Sequence, residues 1–208
     1  MTKRTLRTLF LIMTLSCLWY YTIDLSNKFQ KRINNLTLEL EERRNHFQCQ
    51  IDSINEIYQN ALDSLPLGSP LDTILISSNY GVRKSPLGKG WRMHSGIDLK
   101  GTHWDTVFST GNGVVTMAGW NAGYGKCVRV NHMEGYTSKY AHLSKIFVKR
   151  GQFVLKGTPL GKCGSTGAST GQHLHYEINI NGKTVDPYLF LFFDSILKDS
   201  NNTLLEIQ

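Results

Sequence analysis

The sequence predicts a mostly β fold: a compact antiparallel β-sheet domain preceded by an N-terminal membrane helix and an α-helical, coiled-coil stalk. Three features carry the prediction. Beyond Pro70, glycines become frequent and short apolar runs alternate with turn signals. Near the start, an uncharged stretch over residues 8–23 follows a basic segment. Between the two, apolar residues recur every three or four positions, the spacing of one helix face.

Taken in order, residues 1–24 read as a membrane anchor. Lys3, Arg4 and Arg7 precede a run rich in Leu, Ile, Phe, Trp and Tyr. No small-residue cleavage site follows, and the bulky residues continue past Cys17, so the helix is expected to be retained. Trp19, Tyr20 and Tyr21 suit the far interface as an aromatic belt. The basic end would stay in the cytoplasm, making this a single-pass membrane protein with its C-terminal domain exported.

Residues 25–63 place Leu25, Phe29, Ile33, Leu36, Leu40, Phe47, Ile51, Ile54 and Tyr58 at helical spacing among charged and amide residues. Arg43 and Arg44 interrupt this stripe. The expected element is a stalk that forms a homodimer, with packing on its own domain as the alternative. Ser64-Leu65-Pro66-Leu67-Gly68-Ser69-Pro70 reads as a linker over residues 64–70. The β domain is expected over 71–194 and a tail over 195–208. Within the domain, runs such as Val114-Val115-Thr116-Met117-Ala118 and Cys127-Val128-Arg129-Val130 are separated by turns at Asn112-Gly113, Glu134-Gly135 and Asn181-Gly182.

The chemistry-bearing residues cluster in this domain. In Gly171-Gln172-His173-Leu174-His175-Tyr176-Glu177 two histidines stand two apart, and a strand's period of two puts them on one face. Paired imidazoles suit a divalent metal, most often zinc. In Met93-His94-Ser95-Gly96-Ile97-Asp98-Leu99 an extended chain would put His94, Gly96 and Asp98 on one face, with small Gly96 leaving room for a metal. His94, Asp98 and one of the later pair would give three ligands and an open fourth position, as in a catalytic zinc site. Spacing alone leaves open whether His173 or His175 is the third. On Ser138-Lys139-Tyr140-Ala141-His142-Leu143, alternation puts Tyr140 and His142 on one face. Glu177 shares the face of His173 and His175 and can support a ligand or act as a base.

The segments His94-Ser95-Gly96-Ile97-Asp98, Tyr140-Ala141-His142-Leu143-Ser144 and Gly164-Ser165-Thr166-Gly167 through His173-Leu174-His175 resemble, in order, those of the lysostaphin/LytM-type zinc endopeptidases of bacterial cell walls. The likeness covers roughly residues 77–189. It implies one Zn2+ per chain on His94, Asp98 and His175, with His142 and His173 handling protons and stabilising the transition state. It implies peptidoglycan stem peptides as the partner and hydrolysis of their cross-links as the activity. The stretch Ser78-Asn79-Tyr80-Gly81-Val82-Arg83 resembles an element beside the substrate groove, so Tyr80 is taken as a substrate contact, and Tyr140 as a second. Family members with coiled coils include regulators that have lost metal ligands. A non-catalytic activator of other wall hydrolases is therefore the alternative, and it predicts missing ligands.

Other readings are excluded or left bland. The glycine-rich run 161–171 lacks the Gly-Lys-Ser/Thr ending of a phosphate loop and leads into a strand. His46, His103 and His132 read as solvated, and the resemblance suggests a structural hydrogen-bonding role for His132. The four cysteines have no Cys-x-x-Cys spacing, so the metal set is histidine and carboxylate; Cys127 and Cys163 are the pair that could form a disulfide. From Leu71 onward 15 Lys and Arg stand against 9 Asp and Glu, six of the formal seven positive charges. That basic surface suits an anionic polymer, and no nucleic-acid motif accompanies it.

Overall fold

A computed structural model describes residues 3–86, 88 and 90–193, so the sequence-predicted tail 195–208 lies outside the described residues. The chain divides into two units, Met1–Ile57 and Tyr58–Gln208.

The first unit is helical. Helix α1 (Lys3–Asp63) runs unbroken because no glycine or proline occurs before Pro66. None of its residues is buried, and its N-terminal part is long and apolar enough to cross a membrane. Phe29, Ile33, Leu36, Leu40, Phe47 and Ile54 are all more than half exposed.

The second unit opens with the last turn of α1. The Ser64 N–H closes that turn on the Asn60 carbonyl, and Pro66 stops the helix. The stretch 64–70, predicted as a linker, is packed: Leu67 is 5% exposed, Gly68 N–H donates to the Phe190 carbonyl at 2.8 Å, and Phe108 N–H donates to the Pro70 carbonyl at 2.9 Å.

The strands are β1 (Ile76–Ser78), β2 (Gly81–Lys84), β3 (Trp91–His94), β4 (Ile97–Lys100), β5 (Thr106–Phe108), β6 (Gly113–Asn121), β7 (Gly125–Asn131), β8 (Tyr136–Leu143), β9 (Lys145–Ile146), β10 (Phe153–Val154), β11 (Pro159–Lys162), β12 (His173–Ile180) and β13 (Lys183–Val185). The main sheet runs β1-β4-β12-β8-β7-β6-β10, with β13 beside β12; β5-β11-β9 form a small second sheet and β2-β3 a separate hairpin. Every pairing is antiparallel.

Alternation divides the central strands between two faces. Ile97 and Leu99 of β4, Tyr140 of β8, and Leu174, Tyr176 and Ile178 of β12 enter one core and are fully buried. Each such side chain contributes about 1.5–3 kcal/mol by leaving water. The residues between them, Asp98, Lys139, His173, His175 and Glu177, share the opposite face, where the site forms. All four cysteines are free.

The core also contains a chain of polar groups. His132, 5% exposed, has Nδ1 2.8 Å from the Asn112 carbonyl and Nε2 2.7 Å from Ser138 Oγ. Ser138 Oγ lies 2.9 Å from Tyr140 OH, which also meets Thr110, and Thr110 Oγ1 reaches Tyr176 OH. Burial pushes the His132 pKa below its ordinary 6.5, partly offset by the Asn112 carbonyl. The unfolded chain therefore binds the proton more readily. His132's contribution to stability is full above pH 6.5 and declines as the pH falls below it. Urea unfolding of the chelator-treated chain should show lower stability at pH 5 than at pH 7, with a smaller difference in His132→Asn. An unchanged pH slope in the variant would contradict this assignment.

Candidate metal centre and cleft

Three strands deliver the central cluster. β3 ends on His94, the Ser95-Gly96 corner follows, and β4 carries Asp98. Register then pairs Asp98 with His175 of β12. His94 Nε2 is 3.1 Å from Asp98 Oδ1 and 3.0 Å from His175 Nδ1, and the last two atoms are 2.9 Å apart. All three residues are buried. Gly96 acts differently from its expected part. A Cβ there would lie 2.3 Å from the Tyr176 carbonyl oxygen and 2.9 Å from Glu177 Cγ, so the glycine lets the corner lie against β12.

Hydrogen bonding sets the tautomers. His94 Nδ1 lies 2.7 Å from the Asn79 carbonyl oxygen and so carries the proton, leaving Nε2 a bare lone pair. His175 Nε2 lies 3.0 Å from Glu177 Oε1 and carries its proton there, leaving Nδ1 bare. Two lone pairs and a carboxylate oxygen thus converge on one point, an arrangement that repels itself without a positive charge. The cluster fits a small divalent cation: tetrahedral zinc at Zn–N distances of 2.0–2.1 Å separates its ligand atoms by about 3.3 Å. The titration of the groups shows the same demand. Burial alone would raise the Asp98 pKa, but a proton held between its carboxylate and the facing imidazole nitrogens of His175 and His94 supplies the missing positive charge and puts it well below the carboxylate range. Burial would lower that of His175, but its bonds to Asp98 and Glu177 raise it. Metal binding would replace the proton with a larger charge.

Behind His175, Glu177 is 1% exposed and gathers four donors. It receives His175 Nε2, Tyr124 OH at 2.8 Å, Ser95 Oγ, and Lys139 Nζ from the paired position on β8. Lys139, itself 6% exposed, also lies over the Tyr124 ring at 3.8 Å. Burial would raise the Glu177 pKa, but these bonds, His175 first and Lys139 next, hold it far below the usual range. Sequence reasoning had found Glu177 through alternation. It had missed Lys139, whose partner is set by strand register.

His142 reaches the site by a departure from alternation. β7 pairs Val128 with Tyr140 and Lys126 with Leu143, so one residue opposes the two residues Ala141 and His142: a β-bulge. His142 has φ of 62° and turns to the cleft side, while Tyr140 stays in the core. Its Nδ1 meets the Thr166 carbonyl at 2.7 Å, which leaves Nε2 as the bare nitrogen. The rings of His142 and His173 are 4.8 Å apart. His173 Nδ1 is likewise tied to the Gly171 carbonyl at 2.9 Å, and its Nε2 stands 3.6 Å from Asp98 Oδ1. Burial pushes the His142 pKa down to about 4, despite the Thr166 carbonyl.

These groups line one cleft of about 660 Å³. Neither tyrosine taken as a substrate contact lines it. Tyr140 is fully buried in the hydroxyl chain, and Tyr80 donates its OH to the Thr184 carbonyl at 2.9 Å while packing on the core. Tyr124 and Arg83 do line it. Arg83 donates to Asp98 Oδ2 at 3.2 Å. Tyr124 carried no signal in the sequence, and Arg83 fell within the stretch 78–83 without being singled out.

Fold and cluster together define an antiparallel β protein with a histidine-lined cleft and a residue group able to hold a metal ion. Residues 92–187 match the model of Peptidase family M23, and the chain belongs to that family. The catalytic domain of the antimicrobial peptidase lysostaphin from Staphylococcus simulans is 32% identical with a TM-score of 0.52, covering 57% of this chain and 92% of that one. A zinc-containing peptidase from Vibrio cholerae is 32% identical with a TM-score of 0.52, over 60% of this chain and 38% of that one. Peptidoglycan DD-endopeptidase ShyA of Vibrio cholerae is 34% identical over 160 residues, 76% of this chain and 36% of the relative. The chain spans about a third or less of the length of the curated relatives it matches.

Proposed function

We propose that this chain is a zinc-dependent endopeptidase that hydrolyses the peptide cross-links of bacterial peptidoglycan. The observation that carries the reading is the convergence of His94 Nε2, Asp98 Oδ1 and His175 Nδ1 within 3.1 Å of one another, beside two further imidazoles in an open cleft. These three atoms would hold the metal. Bound there, zinc supplies Lewis acidity toward a carbonyl and lowers the pKa of a water. The histidine–carboxylate set without thiolate supports zinc over softer ions. Asn79 and Glu177 keep the two ligand imidazoles in the tautomers that binding needs.

His142 and His173 perform the proton work. With Nδ1 of each tied to a main-chain carbonyl, each has Nε2 left to accept a proton from water. The resulting N–H donates to the oxygen that gains charge, or returns its proton to the departing amine. The low pKa of His142, about 4, makes it a neutral base at pH 7. All five residues are present, and this completeness argues against the regulator that would have lost ligands.

Helix α1 is proposed as a single-pass anchor with the β domain on the wall side. The exposed apolar positions from Phe29 to Ile54 are the proposed homodimer seam.

The test measures zinc content and release of cross-link fragments from purified peptidoglycan for the full chain in detergent and its His94→Ala variant. The wild type should bind about one zinc per chain and release fragments, and the variant should lose both. A wild type that binds zinc but cuts no wall would point to another substrate; one that binds no zinc would overturn the reading.

A further inference from the structure

The cleft carries positive charge that its own residues do not neutralise. In the hairpin, Arg83 of β2 lies directly opposite Arg92 of β3. Like charges placed opposite each other destabilise a strand pair, so the arrangement needs a compensating anion. Asp98 engages Arg83 at 3.2 Å, and the Nε of Arg83 is buried without a partner. Arg92 is exposed, lines the cleft, and has no ion pair among the described residues. Lys100 repeats the pattern. It sits beyond Asp98 on the same face of β4, opposite His173 of β12, exposed, and also unpaired among the described residues. Asp98, already shared between Arg83 and the histidines, is the one carboxylate among the described cleft-lining residues.

Spacing relates these cations to the reacting centre. Arg92 lies two residues before His94 and Lys100 two residues after Asp98. On a strand that is a displacement of roughly 6.6 Å, and an extended peptide substrate advances at the same rate. A carboxylate within about two residues of the cut bond falls within their reach.

We infer that Arg92 and Lys100 form a carboxylate-recognising rim on the metal cleft, selecting acidic peptides with free carboxylates within two residues of the bond cut. The inference rests on the endopeptidase reading for the word "cut", but the binding it describes can be measured without turnover. An acidic stem peptide would bind by charge-assisted hydrogen bonds, and its amidated counterpart would lose them.

The experiment uses the full chain in detergent and two synthetic cross-link peptides, identical except that one has free carboxylates and the other has them amidated. Wild type should favour the free-acid peptide by about tenfold or more in kcat/KM, chiefly through KM, with the preference shrinking as salt rises. Arg92→Gln/Lys100→Gln should bring the ratio of the two peptides close to one at unchanged zinc content. Lys149→Gln/Arg150→Gln, the same loss of two positive charges at exposed positions outside the cleft, should keep the preference. If wild type cuts both peptides equally, or the double variant keeps the preference, the rim is wrong and the endopeptidase reading stands. If neither peptide is cut, binding decides: tighter binding of the free-acid peptide to wild type than to the double variant upholds the rim and removes the endopeptidase reading. Equal binding overturns the rim as well.

Discussion

Replacing His142 by alanine is expected to leave about one zinc per chain and to lower kcat by roughly 10²–10⁴. The expectation follows from the bulge in β8. His142 lies beside His173 but outside the triangle of His94, Asp98 and His175, so its loss would remove a proposed proton-handling group and none of the proposed metal ligands. Its Nδ1 is satisfied by the Thr166 carbonyl, and its removal frees only that one acceptor. Metal analysis and turnover on one preparation separate the two roles. Loss of zinc in His142→Ala would make it a ligand and overturn the division of labour; full activity would remove it from the chemistry. His173→Ala should behave in the same sense.

Replacing Lys139 by alanine should cost about 3–5 kcal/mol of stability. The substitution strands Glu177, 1% exposed, without its cation, and removing one member of a buried pair is costlier than removing both. The double variant Lys139→Met/Glu177→Gln should therefore recover much of the loss while still offering Tyr124 and Ser95 a hydrogen-bond acceptor. Zinc affinity reports separately. Glu177→Gln replaces the carboxylate that orients His175, and such changes typically weaken binding 10–100-fold. Chemical denaturation with and without zinc gives both quantities. If Lys139→Ala is as stable as wild type, the pair is not the buried support of the site that its geometry implies.

Much of this was legible in local patterns. A strand's period of two is a property of the backbone, and it separated His173, His175 and Glu177 from Leu174, Tyr176 and Ile178 without any tertiary information. The absence of glycine and proline before Pro66 allowed one continuous α1. The spacing of His94 and Asp98 brought two candidate ligands together as one extended run, whereas the chain turns a corner at Ser95-Gly96 between β3 and β4. By contrast, alternation misled at β8. It put Tyr140 beside His142, whereas an unpaired residue in the bulge and a positive φ send one into the core and the other to the cleft. The packed stretch 64–70 also read as a linker, because Gly and Pro signal the end of a helix and say nothing about what covers them.

The sequence by itself determined the class of fold, the residues able to bind a metal, and the face of β12 that carries them, because each depends on neighbours one to four positions away. The family resemblance pointed to His175 over His173, and the tertiary structure brings His175 into the triangle; the tertiary structure alone brought Lys139 to Glu177 and Arg83 to Asp98, and kept Tyr80 and Tyr140 off the cleft lining. Those assignments depend on register between strands distant in the chain, where a shift of one residue would turn every side chain to the other face.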